Sequence, residues 1–191
     1  MSIKMKLLTG VAALAVTLSA GASHAASHAA GNPMVGGAEM FADKNIVENA
    51  VNSADHTTLV AAVQAAGLVE TLSGPGPFTV FAPTNDAFAK LDQAQVAELL
   101  KPENVAALTQ ILTCHVVGAE AMSDAIAGMI ADDGGVHDVP TLGGCVLKAQ
   151  MSGDMITLTD ERGQVATVTI ADVKQSNGVI HVIDTVLLPA M

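Results

Sequence analysis

Six histidines, two cysteines and nineteen carboxylates are the residues of this chain with the most chemistry to offer. His115 and His181 sit inside apolar runs. His56 stands at a helix start, His137 in a strand or loop, and His24 and His28 in the amino-terminal stretch. Histidines grouped with carboxylates could hold a metal, and a His–Asp pair could move a proton. The pattern lacks the residues that would complete either site. No Gly-x-Ser-x-Gly elbow presents a serine. No His-Glu-x-x-His puts two ligands on one helix face, and no glycine-rich loop ends in Lys-Ser or Lys-Thr. Asp132-Asp133-Gly134 begins like a calcium loop but lacks the spaced oxygen ligands and the closing Glu. Asp160-Glu161 falls at a turn, with nothing to fix two carboxyls across a cleft. A histidine in an apolar run, with no paired nucleophile, reads as a core-edge residue whose ring nitrogens bond the backbone. The nine methionines are scattered, and Met151 and Met155 read as gap fillers. The sequence implies no catalytic residue, no metal ligand and no cofactor.

The cysteines are a separate question. Cys114 and Cys145 do not have thioredoxin-type spacing, and no second pair completes a zinc site. In an oxidising compartment they are expected to form a disulfide, worth about 3–4 kcal/mol for a loop of that length. The alternative is two buried thiols packed as small hydrophobes.

The amino terminus bears on the compartment. Lys4 and Lys6 precede Leu7–Ala20, an uncharged and largely apolar stretch too short to span a bilayer comfortably. Ser23-His24-Ala25 offers small residues where a signal peptidase reads. Residues 1–25 are therefore expected to be a signal peptide, with cleavage after Ala29 as an alternative. A retained membrane anchor is the competing reading. No Cys follows for lipid attachment and no twin Arg precedes the apolar stretch. No later stretch has the length of a transmembrane helix. The expected location is outside the cytoplasm: the periplasm, the extracellular space or the cell surface.

Charge and composition narrow the partners. The full chain carries −11; without residues 1–25, six basic residues face nineteen acidic ones, a formal charge of −13. A nucleic-acid binder would need a basic patch instead. Trp and Tyr are absent, which argues against base-stacking platforms and aromatic sugar sites. Half the residues are apolar, enough for a sizeable core.

The elements follow from periodicity and punctuation. Residues 26–41, rich in Ala, Gly and Ser, are expected to be a flexible or loosely docked arm, with Met34, Val35 and Met40 available to pack. Ile46, Val47, Ala50 and Val51 share a helical face. Asp55 is placed to cap a second helix carrying Leu59, Val60 and Val63, and Gly67 to end it. Ser73–Pro77 forces a turn into a strand at Phe78–Ala82, bounded by Pro83. Thr84, Asp92 with Gln95, and Pro102 mark three more helix starts. Beyond Cys114 the period becomes that of strands. Cys114–Val117 is an expected strand and Ala121–Ala131 a helix. β-type segments follow at 136–139, 145–149, 156–159, 165–170 and 179–188. Helices first and a strand meander later predict an α+β fold, with a helical amino-terminal half packed on a mainly antiparallel β unit.

Against this background, FTVFAPTNDAF (Phe78–Phe88) resembles the first signature block of fasciclin-like domains. NGVIHVIDTVLLP (Asn177–Pro189) resembles the second, and LTCHVV (Leu112–Val117) the Tyr-His segment between them. The leading NIVENAVNSADHTTLVAAVQAAGL (Asn45–Leu68) fits the family's helical opening. The resemblance covers roughly residues 42–190, and secreted single-domain bacterial members look closest. It implies a non-catalytic adhesion module mediating cell–cell or cell–matrix contact, with a cell-surface or extracellular-matrix component as partner. In some animal members the Tyr-His segment and an Asp-Ile pair are linked to receptor binding. Here those positions read Cys114-His115 and Asp172-Val173, so His115 and Asp172 become weak interaction candidates, with structural strand residues as the stronger reading. The Cys at 114 also suits a disulfide with Cys145. A periplasmic small-ligand or metal-binding protein, motivated by His115, His181 and the carboxylates, is the alternative function, and an enzyme a third.

Overall fold

The structure is a computed structural model, and it describes residues 32–190. The expected signal peptide and the first part of the expected arm lie outside the described residues. The arm's described part is seated on the domain. β1 (Met34–Val35) and β2 (Ala38–Glu39) form a small antiparallel hairpin. Val35 is 3% and Met40 2% exposed. Two apolar side chains leave water there, and Ala54 N donates to the hairpin's Gly36 O.

The amino-terminal half is helical. It contains α1 (Ile46–Ala50), α2 (Thr57–Ala65), α3 (Val69–Ser73), α4 (Asn85–Ala89), α5 (Gln93–Leu99) and α6 (Val105–Thr113). The starts obey local chemistry. Asn45 and Glu48 form a capping box on α1, Thr84 Oγ1 accepts from Ala87 N at 3.2 Å, and Asp92 Oδ1 accepts from Ala94 N at 2.9 Å. Two expectations fail here. Val51 is 51% exposed, because α1 stops at Ala50 and turns Val51 away from the core. Asp55 does not cap α2; it sits inside a 3₁₀ turn, Ala54–His56. The cap comes from another segment: Asn85 Oδ1 accepts from Thr58 N at 3.0 Å and from Thr57 Oγ1 at 3.1 Å. Gly67 follows α2 at φ +68°, the left-handed conformation that ends a helix at least cost.

Seven strands form one sheet. They are β3 (Phe78–Pro83), β4 (Val116–Val117), β5 (Val136–Pro140), β6 (Val146–Ser152), β7 (Met155–Thr159), β8 (Val165–Gln175) and β9 (Gly178–Ile183), in the order β4-β3-β9-β8-β7-β6-β5. Every neighbouring pair is antiparallel except β3–β9, which is parallel over six residues. The last strand ends at Ile183, so the expected strand to Leu188 is halved. Asp184–Ala190 has neither helix nor strand. The expected strand at Cys114 is also shortened: α6 runs to Thr113 with Cys114 as its C-cap, and only Val116–Val117 pair.

β9 is buried along its whole length because helices cover both faces of the sheet beside it. Ile180 and Val182 join Ile46, Leu59, Val63, Phe88 and Leu108 in one core. Ile183 and Phe81 join a second core closed by Ile126 and Ile130 of α7 (Ser123–Asp132) over Leu147, Leu158 and Val168. Gly178 begins β9 where a Cβ would run into the Phe78 carbonyl, so the second signature block requires glycine there.

Candidate functional site

His115 follows the last turn of α6, and the helix end fixes its ring. Its Nδ1 lies 2.8 Å from Ile111 O and donates to it; Nε2 then accepts from Leu187 N at 2.9 Å. Burial pushes the imidazole down to about 4, against a smaller opposing effect of the Ile111 bond and of Asp160. The ring is neutral at ordinary pH and has no free nitrogen. His181, on β9, is arranged the same way. Nε2 donates to Ala121 O at 2.8 Å, Nδ1 accepts from Asp172 N at 3.3 Å, and burial again lowers its pKa. Its ring stacks on Phe81 with centroids 5.7 Å apart. The two histidines that motivated a metal or ligand reading are thus spent on backbone groups.

Asp172 stands at a bulge in β8, between register shifts at Ile170 and Val173, with φ +59°. A non-glycine residue there carries strain of roughly 1 kcal/mol, which its bonds must offset. Its Oδ1 accepts from Ser123 N at 2.7 Å and its Oδ2 from Ser123 Oγ. The carboxylate therefore caps the start of α7 from across the fold, where the helix dipole also favours a negative charge. His115 and Asp172 make no hydrogen bond to each other, and each serves a separate internal junction.

The disulfide partners meet at the other side of His115. Cys114 and Cys145 are bonded, with Cα atoms 5.4 Å apart across a separation of 31 residues. The bond ties the end of α6 to the start of β6.

Two asparagines bond backbone far from them in sequence. Asn85 holds α2 as described and donates from Nδ2 to Ala54 O at 2.8 Å. Asn177 accepts from Ile46 N at 3.0 Å and donates to Leu72 O and Gly74 O at 2.8 and 2.9 Å. Each signature block thus contributes one amide that pins helices distant in sequence. The signal was their place inside the blocks, but their partners cannot be read from one sequence.

Arrangements that look reactive are closed off. Ser53 Oγ and His56 Nδ1 are 2.8 Å apart, yet the residues are 1% and 3% exposed. His137 of β5 pairs at 2.6 Å with Asp133, the C-cap of α7, four residues before it. Among the described residues, no group of three or more His, Cys, Asp or Glu is placed to hold a metal. Asp160 and Glu161 bind backbone amides of the carboxyl-terminal segment. An open groove of about 510 Å³ lies between α5, α6 and that segment, with Leu91, Leu99, Ile111 and Leu188 in its wall. Val96 and Leu99 of α5 border it and are half-buried. No helix among the described residues is long and apolar enough to cross a membrane.

This is an α+β domain in which His115, His181, Asn85, Asn177 and Asp172 each bond the domain's own backbone. The chain belongs to the fasciclin domain family: the Fasciclin domain profile matches residues 54–189. Protein sll1483 of Synechocystis is 48% identical, over 76% of this chain and 74% of that protein. Immunogenic protein MPB70 of Mycobacterium bovis is 34% identical, over 94% of this chain and 91% of that protein. Among solved structures, a FAS1 domain pair from the insect cell adhesion molecule Fasciclin I superposes with a TM-score of 0.52 at 25% identity. It covers 66% of this chain and 42% of that one.

Proposed function

We propose that this chain is a secreted, non-catalytic adhesion or interaction module that contacts a cell-surface or extracellular-matrix component. Membership of the fasciclin family carries the reading, together with a solved relative described as a cell adhesion molecule. The internal use of His115, His181 and Asp172 supports it from the chemical side, since their polar atoms are engaged within the fold. With a formal charge of −13 after removal of residues 1–25, attraction to an anionic envelope is unfavourable. Contact therefore rests on a basic partner, bridging cations or apolar surface.

The test is binding of fluorescent protein comprising residues 26–191 to intact producer cells, across salt and calcium concentrations. Saturable binding is expected. Salt sensitivity would indicate ionic contact, calcium dependence a cation bridge, and indifference to both an apolar contact. Absence of binding to cells, their envelope and matrix material under every condition would overturn the proposal.

A further inference from the structure

α5 buries none of its residues completely. Its Val96 and Leu99, with Leu91, Ile111 and Leu188, are half-buried and leave part of their surface on the groove that α5 shares with α6 and the carboxyl-terminal segment. At about 510 Å³ that groove has the size of a small-molecule site. The same five aliphatic residues also border a narrow apolar void of about 20 Å³ on their inner side, against Leu108 and Leu112. Empty space behind them lets these side chains shift inward as a ligand seats, without displacing packed atoms. The groove is short. α5 and α6 have seven and nine residues, about 10 and 14 Å at the helical rise. A partner helix of ordinary length would overrun it, whereas a small amphiphile fits.

The polar groups at the groove are few. Gln95, Asn104 and Gln110 are neutral, and Glu98 is held by Lys101 at 2.5 Å. Arg162 is the remaining charge. Its Nε donates to Pro189 O at 3.0 Å, its one side-chain hydrogen bond among the described residues. The ion pairs among those residues join Lys90, Lys101, His137 and Lys148 to acids, and Arg162 is in none of them. The acids beside it in sequence are engaged with backbone. Asp160 accepts from Arg162 N, Gln164 N and Leu188 N, and Glu161 from Val146 N and Ala190 N. A guanidinium anchored through Nε still offers N–H groups in a planar fork, the geometry that suits a carboxylate.

We propose that the α5–α6 groove binds an unbranched aliphatic carboxylate, with its tail on Leu99, Ile111 and Leu188 and its head on the Arg162 guanidinium.

The site goes beyond the adhesion reading and stands or falls separately from it. The tail covers apolar surface that the fold leaves in water, and the head supplies the anion that Arg162 lacks. The formal charge of −13 without residues 1–25 opposes an anion at long range, but about 0.15 M salt screens it beyond ~8 Å. A cationic head would lose the Arg162 contact and meet repulsion there instead.

Titration of the purified chain with sodium decanoate at neutral pH in about 0.15 M salt, followed by amide NMR, tests this. Saturable one-to-one shifts are expected in α5, α6 and residues 187–190, with β5 and β6 unmoved. Sodium acetate, a head without a tail, and decyltrimethylammonium, a tail with the opposite head, should each bind at least about tenfold more weakly. Arg162→Gln, at an exposed position, should weaken decanoate at least about tenfold. Ala107→Phe, at an exposed position on the groove, should abolish binding by filling it. Unchanged unfolding temperatures confirm that both variants keep the fold. Absence of saturable shifts with decanoate, equal binding of the cationic amphiphile, or wild-type affinity in Arg162→Gln would each overturn the proposal. Shifts that acetate reproduces in full would overturn it too, by reducing the site to an anion contact.

Discussion

At the amino-terminal end, Val35 and Met40 sink into the core, and Asn49 holds Phe41 through both its backbone N and O at 3.0 and 2.7 Å. At the carboxyl-terminal end, Leu187, Leu188 and Ala190 donate to His115, Asp160 and Glu161. Both segments clasp the same domain. Both bury apolar side chains, Val186 and Leu187 at the carboxyl-terminal end, but one adds a neutral amide and the other the His115 imidazole, whose pKa burial lowers to about 4. The difference lies in the groups that hold the chain: a side-chain amide at one end, an imidazole and two carboxylates at the other.

Replacing the deepest anchor of the inert clasp should have the largest effect. Met40→Ala removes a fully buried side chain and should cost about 2–5 kcal/mol. The loss, measured by urea unfolding, should be the same at pH 7 and pH 5. A strongly pH-dependent cost would break the contrast.

Next is the disulfide, which lies beside His115 but does not titrate once formed. Cys114→Ser with Cys145→Ser should lower stability by about 3–4 kcal/mol. Thiol counting on unfolded, unreduced wild type should find none; two free thiols would remove the bond from the account.

The titratable clasp has its own signature. The unfolded imidazole takes a proton near 6.5, whereas His115 in the fold takes one only at about 4. Between those values the unfolded chain binds more protons, so stability falls as pH drops through that window. The contribution is complete above about 6.5. The loss by pH 4 is about 3 kcal/mol, and the lowered His56 and His181 act in the same direction. A flat stability profile from pH 7 to pH 4 would contradict it.

A smaller effect belongs to Asp172, which braces the interior and touches neither clasp. Asp172→Asn should cost roughly 1–2 kcal/mol by weakening the α7 cap, read as a lower unfolding midpoint.

Much of this architecture was legible. Helix caps at Thr84 and Asp92 are decided by residues two or three positions away, and the Phe78–Pro83 strand is bounded by its own prolines. What could not be read was settled by partners far along the chain. Asn85 displaces Asp55 as the cap of α2 because the fold delivers its amide there. His115 sits at a helix end, not in a strand, since α6 keeps its hydrogen bonds through Cys114 N to Gln110 O. Asp172 looked available in sequence because its acceptor role depends on a bulge and on Ser123, 49 residues away. The Asp184–Ala190 segment is similar. Asp160-Glu161 was visible as a turn, but nothing local shows that it faces the end of the chain.

The central claim is that Asp172 braces the start of α7. Its most direct test compares the binding of wild type and Asp172→Asn to producer cells at neutral pH, below the unfolding temperature of both. The account predicts equal binding midpoints with a lower unfolding temperature for the variant. Loss of binding at unchanged stability would contradict it and return Asp172 to the role of a contact residue.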